Sequence, residues 1–136
     1  MKTFHKDGTL PHRYTVDVFV FGSNEAGIHG AGAALAAKKF FGAVQFHGVG
    51  LQGRSYAIPT KDRNLHTLPL DEIKQYVDEF VQYTHDHPYV NFFVTAVGCG
   101  LAKQSAADIA PMFNNAINCS FPDTWQQYMS TDNETA

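Results

Sequence analysis

The apolar pattern of the chain breaks into short segments separated by glycine and proline. Val16–Phe21 (VDVFVF) is apolar on both faces apart from Asp17, which suits a strand covered on both sides. It leads into Gly22-Ser23-Asn24, read as a turn, and then into Gly27-Ile28-His29-Gly30-Ala31-Gly32. The Ala-, Leu- and Lys-rich stretch that follows predicts a helix over 31–40, ended by Gly42. Residues 42–53 read as a short strand and a loop, and Ser55–Pro59 as a second buried strand ending in Thr60-Lys61-Asp62-Arg63. Leu70, Ile73, Val77, Phe80, Val81 and Thr84 recur at helical spacing and predict a helix over 69–87. Pro69 suits its first position, Asp71 and Glu72 suit its dipole, and Pro88 closes it. Asn91–Val97 predicts a third buried strand, entering Gly98-Cys99-Gly100-Leu101. Ser105-Ala-Ala-Asp108 has the form of a capping box for a third helix over 105–118, which Pro111 should kink or delay. Strands alternating with helices predict an α/β fold, a three-layer α/β/α sandwich with a mixed, largely parallel sheet. Residues 1–129 are expected to form one domain and 130–136 a disordered polar tail.

Composition narrows the function classes. With 10 Lys+Arg against 13 Asp+Glu and a net charge of −3, nothing suggests a general attraction to nucleic acid or anionic membrane. No apolar run approaches the roughly 20 residues that span a bilayer. Residues 1–7 have no apolar segment of the signal-peptide kind behind their charges, so a cytoplasmic protein is expected. The two cysteines, Cys99 and Cys119, are too few for a disulfide framework and too far apart for a zinc cluster. The seven histidines show no metal-ligand spacing, and neither a metal nor a cofactor is expected.

The chemistry concentrates in the two glycine-rich loops, each between a strand and a following helix. In open α/β sheets ligands bind at the carboxyl ends of strands, and both loops lie there. Glycine lets backbone N–H groups approach an anion, and a helix N-terminus adds partial positive charge. GxxxxGK[ST] is absent, and the first loop does not match GxGxxG, because Gly30-Ala31-Gly32 is followed by Ala33, Ala34 and Leu35, so it is neither a P-loop nor a dinucleotide fingerprint.

Asn24, the loop Gly27–Gly32, Lys38-Lys39-Phe40-Phe41-Gly42, Ile58-Pro59-Thr60-Lys61 and Val97-Gly98-Cys99-Gly100-Leu101 occur in the order found in macrodomains. The sequence is most similar to the branch of glycohydrolases that remove ADP-ribose from acidic side chains, over roughly Phe19 to Ala116. It also resembles small bacterial and phage proteins with a GSNxxGxHGAGAA signature. This resemblance implies that Gly30, Ala31 and Gly32, with Gly98, Cys99, Gly100 and Leu101, hold the diphosphate and distal ribose of ADP-ribose. Asn24 would sit near that ribose, and Lys61 aligns with the lysine that attacks its anomeric carbon. Such an attack needs a free amine, the form a dry cleft favours. The implied partners are a small-molecule nucleotide such as ADP-ribose and an ADP-ribosylated protein.

Two departures bear on activity. The acid that follows the second loop in those hydrolases is Ala102 here, with Glu25, Asp62 and Asp108 as alternative carboxylates. The early strand whose aspartate reads adenine is short or absent, leaving Asp7 and Asp17 as candidates. His29, inside the first loop, is a candidate phosphate ligand or acid. His47 could line the same cleft, while Arg54 and Lys103 flank glycine loops as counter-charges. Three readings stay open: an ADP-ribose-binding protein with or without hydrolase activity, a non-catalytic protein that sequesters another nucleotide, and a structural interaction domain without ligand.

Overall fold

The computed structural model describes residues 2–12 and 14–130. Its six strands are β1 (Thr3–His5), β2 (Val18–Asn24), β3 (Gly50–Gln52), β4 (Ser55–Lys61), β5 (Phe92–Val94) and β6 (Cys119–Pro122). The helices are α1 (Gly32–Phe40), α2 (Leu70–Asp86) and the single turn α3 (Ala106–Ile109). The strands form one sheet in the order β1-β6-β5-β2-β4-β3, parallel throughout except for the antiparallel β3–β4 hairpin. The three strands predicted as buried are therefore interior, as a mixed, mostly parallel sandwich requires.

Alternation along each strand sends side chains into two cores. Val18, Val20, Tyr56, Ile58, Phe92, Val94 and Phe121 face α2, α3 and Trp125. Phe19, Phe21, Ala57 and Phe93 face α1 through Ala37 and Phe41. Phe80 of α2 sets its ring edge-on to Phe92 at 5.3 Å and to Tyr56 at 5.1 Å, the preferred geometry for aromatic pairs.

Element boundaries moved where long-range pairing overrode local pattern. The first buried strand was expected at Val16–Phe21 but begins at Val18, where Asp17 accepts the Asn91 N–H (2.9 Å). It also continues through the Gly22-Ser23-Asn24 stretch read as a turn. These residues pair with Ile58, Pro59 and Lys61 of β4, the register shifting by one residue between Ser23 and Asn24, and the Ser23 hydroxyl donates to the Gly48 carbonyl. The third strand shrinks from 91–97 to Phe92–Val94, because the Thr95 N–H and hydroxyl both turn back to the Val20 carbonyl. The helix expected over 105–118 is only α3 followed by a 3₁₀ turn, Ala110–Phe113. Ser105 does cap α3, accepting from the Asp108 N–H, and Pro111, lacking an N–H, coincides with the change of winding. Two strands and a 3₁₀ segment were not anticipated: β1, which pairs with β6, β6 itself, and Asp123–Tyr128, whose Trp125 is fully buried. Of the expected tail, residues 131–136 lie outside the described residues.

Candidate functional site

At the carboxyl ends of the parallel strands lies a cleft of about 840 Å³, a volume suited to a nucleotide-sized ligand. One wall is the β2–α1 connection with Asn24, Gly30, Ala31 and Gly32; opposite run Gly98, Cys99, Gly100, Leu101 and Ala102 after β5. Lys61, ending β4, lines the same space, as do His5, ending β1, and Asp7, Gly8, Thr9 and Leu10 after it. Both loops and the lysine named from sequence thus share one cleft.

The glycines divide into two kinds. At Gly100 and Gly32 an added Cβ would meet nothing within 4 Å, and at Gly30 only Ile28 Cγ2 at 3.9 Å, so these positions open onto the cleft. Gly27 and Gly48 do different work: a Cβ at Gly27 would come within 2.3 Å of the Phe46 backbone, and at Gly48 within 2.2 Å of the Asn24 carbonyl oxygen. That contact locks the loop after α1 under the end of β2. Asn24 is held in turn, its side-chain amide donating to the Ile28 carbonyl (2.9 Å) and its Oδ1 accepting the Ile28 N–H (3.0 Å).

Helix α1 starts in the cleft wall. Ala31 precedes it in extended conformation, no side chain caps it, and no acidic residue sits in its first turn. Gly32, Ala33 and Ala34 all line the cleft. The first N–H groups of a helix have no internal partner and carry its positive dipole end, so this terminus is suited to an anion.

Charge in the cleft is sparse. Among the described lining residues Asp7 is the one carboxylate, Lys61 the one ammonium and His5 the one imidazole. Asp7 is anchored by the β1–β6 pairing: its N–H donates to Asp123 Oδ1 (3.0 Å), and its Oδ2 accepts from the Thr124 hydroxyl (3.0 Å). His5 stacks on Phe93 with ring centroids 3.7 Å apart, and burial lowers its pKa from the ordinary value. Lys61 has no carboxylate partner among the described residues. Its carbonyl accepts the Glu25 N–H (2.9 Å), which ties the end of β4 to the residue after Asn24.

Several candidates are corrected. His29 is fully buried, with Nε2–H donating to the His47 carbonyl (2.9 Å) and Gln52 Oε1 (3.2 Å) and its ring edge-on to Phe21. It braces the loop from behind and does not line the cleft, because β2–α1 packing turns its side chain inward. His47 is likewise outside the cleft, as are Arg54, which donates to the Val16 carbonyl (2.6 Å), and Lys103. None of the three alternative acids lines the cleft. Glu25 accepts from the Tyr76 hydroxyl (2.5 Å), an interaction that pushes the Tyr76 pKa up to about 12. Asp62 accepts the Asn64 and His66 N–H groups (2.8 and 3.0 Å), which pull its pKa down. Asp108 pairs with Ser105 (3.1 Å). Asp17 serves the start of β2, so of the two aspartates considered for a base only Asp7 reaches the cleft. Cys99 lines the cleft, but burial pushes its thiol pKa up, against a nucleophilic role.

No family model and no curated protein matches the sequence. Among solved structures, the macrodomain of Mycobacterium tuberculosis DarG is similar at TM-score 0.67 and 18% identity, over 90% of this chain and 97% of that one. Thermosipho africanus DarTG, solved in complex with ADP-ribose, is similar at TM-score 0.60 and 15% identity, over 86% of this chain and 42% of that one. The macrodomain of Thermus aquaticus DarG follows at TM-score 0.54 and 15% identity, over 89% and 95%. The chain has the macrodomain fold.

Proposed function

We propose that the cleft binds ADP-ribose or a closely related nucleotide diphosphate. The observation that carries this reading is the uncapped N-terminus of α1, opening into a cleft whose facing loops present glycines without steric obstruction. A diphosphate there meets backbone N–H groups and a helix dipole, while Asp7 offers an acceptor for an exocyclic amine at the β1 end. The fold shared with a protein solved in complex with ADP-ribose supports the same ligand class. Titration calorimetry with ADP-ribose against a panel of other nucleotides tests it. Saturable binding that prefers ADP-ribose is expected; a preference for a ligand lacking the ribose-diphosphate would return the protein to the sequestering class.

Removal of ADP-ribose from a modified protein is a second step, favoured by Lys61 lining the cleft without a carboxylate partner. As a neutral amine its Nζ would form a bond to the ribose anomeric carbon while the bond to the acceptor breaks, the acceptor leaving with the electron pair and taking up a proton. Ala102 stands where the similar hydrolases keep an acid, and Glu25, Asp62 and Asp108 are engaged elsewhere. Turnover is therefore expected to be slow or absent.

A further inference from the structure

The loop after β4 is built to aim one side chain. Lys61 and Thr67 pair as an antiparallel bridge, and the residues between them close into a turn organised by Asp62. The Asp62 N–H donates to the His66 carbonyl (2.8 Å), and its Oδ1 accepts the N–H groups of Asn64 (2.8 Å) and His66 (3.0 Å). The Leu65 N–H donates to the Asp62 carbonyl (3.1 Å), and Leu65 is held at φ +65°. A leucine enters that region only when its surroundings force it. Leu65 joins neither core; it lines the cleft and stays 44% exposed. Leu101 is its counterpart on the second glycine loop, lining the cleft at 70% exposure. The Thr67 hydroxyl donates to the Ala102 carbonyl (3.1 Å), which fastens the two leucine-bearing loops together.

Sheet order fixes which end of the cleft they occupy. The loops after β1 and β4 stand four strand spacings apart, roughly 19 Å at about 4.8 Å each, with those after β2 and β5 between them. A nucleotide diphosphate whose base meets Asp7 and whose phosphates meet α1 sends whatever follows the second phosphate to the leucines. We infer that Leu65 is a specificity-determining residue, by which the cleft selects a diphosphate capped with a neutral sugar over one ending in free phosphate. This rests on the nucleotide reading of the cleft. A ribose offers C–H faces to Leu65 and Leu101 and hydroxyls to Lys61. A terminal phosphate, carrying about −1.5 to −2 charge, would give up water against aliphatic side chains, with Lys61 the one ammonium lining the cleft. Asp62 acts through Leu65, as a positioning residue.

Titration calorimetry with ADP-ribose and with ADP tests this on wild type, Leu65→Asn, Asp62→Ala and Asp62→Asn. Asparagine tolerates positive φ better than leucine, so Leu65→Asn removes the aliphatic surface without straining the turn. Wild type should prefer ADP-ribose to ADP, and Leu65→Asn should cut that preference about tenfold with no loss of melting temperature. Asp62→Ala should cut it in the same direction, and Asp62→Asn, which keeps an Oδ1 acceptor, should restore it. An unchanged preference in Leu65→Asn overturns the inference. So does a Leu65→Asn protein that melts well below wild type, which would show that the side chain serves folding. Equal binding of both ligands by wild type overturns it while leaving the nucleotide reading intact. Binding of neither overturns both.

Discussion

At the scale of single residues, the two kinds of glycine separate binding from folding. Gly100 opens onto the cleft and has no positive φ, so Gly100→Val should keep the fold and weaken ADP-ribose binding at least about tenfold by calorimetry, because its methyls enter the ligand path. Gly48→Ala should do the reverse. Its methyl would meet the Asn24 carbonyl at 2.2 Å, and a loss of about 3 kcal/mol is expected in denaturant unfolding. Gly32 is the less clean probe: at φ +56° a side chain would strain the start of α1 as well as enter the cleft. Lys61→Ala should weaken binding a few-fold if the ammonium is a counter-charge, and abolish any turnover if the amine attacks ribose. Mass spectrometry for an ADP-ribose adduct on Lys61 checks the second role, and hydrolysis surviving in the alanine variant excludes it. That glycines of identical appearance in the sequence do opposite work was not legible there. Gly27 and Gly48 are constrained by backbone that arrives from elsewhere in the chain.

At the scale of elements, the α2 face of the sheet carries most of the aromatic packing. Phe80 is fully buried among Tyr56, Phe92 and Phe113, so Phe80→Ala should cost about 4 kcal/mol in chemical denaturation. Tyr56 of β4 lies in the same layer, and burial pushes its pKa up to about 12 from 10.0. Between those values the unfolded chain has lost the phenolic proton while the folded chain still holds it. Stability is therefore fully present below pH 10 and lost as pH rises toward 12, by about 2 kcal/mol; Tyr56→Phe should flatten that part of the pH profile of unfolding. The 3.6-residue spacing of Leu70, Ile73, Val77 and Phe80 made α2 readable almost to its ends, since amphipathic periodicity is a local property. Pro111 signals a kink or a delayed start in a helix over 105–118, not the change to 3₁₀ winding at Ala110 that the structure shows, and β1 and β6 have no local signal at all. Each is at most four residues long and exists through pairing with distant chain, β6 with β5 and β1 with β6 across more than a hundred positions.

At the scale of the whole molecule, a ligand held between loops from β1, β2, β4 and β5 should stabilise the folded state as a unit. At free ADP-ribose about one hundred times its dissociation constant, the gain is about 2.7 kcal/mol, read as a rise in melting temperature that Gly100→Val should not show. The amino-acid sequence alone determined the repeated strand, glycine loop and helix, the mixed α/β class, and the placing of both loops and Lys61 at strand ends. Hydrophobic period, glycine and proline act within a few neighbours, and strand-to-helix order fixes which ends face the ligand. Tertiary structure decided which side chains reach the cleft. His29 turned inward because Gln52 and the His47 carbonyl meet it from behind. Glu25, Asp62 and Asp108 were spent on Tyr76, a loop and a helix cap. Asp7 reached the cleft because β1 docks on β6 and its loop is fastened to Asp123 and Thr124. The direction of a side chain and the partner that claims it follow from contacts between distant segments, which no local pattern encodes.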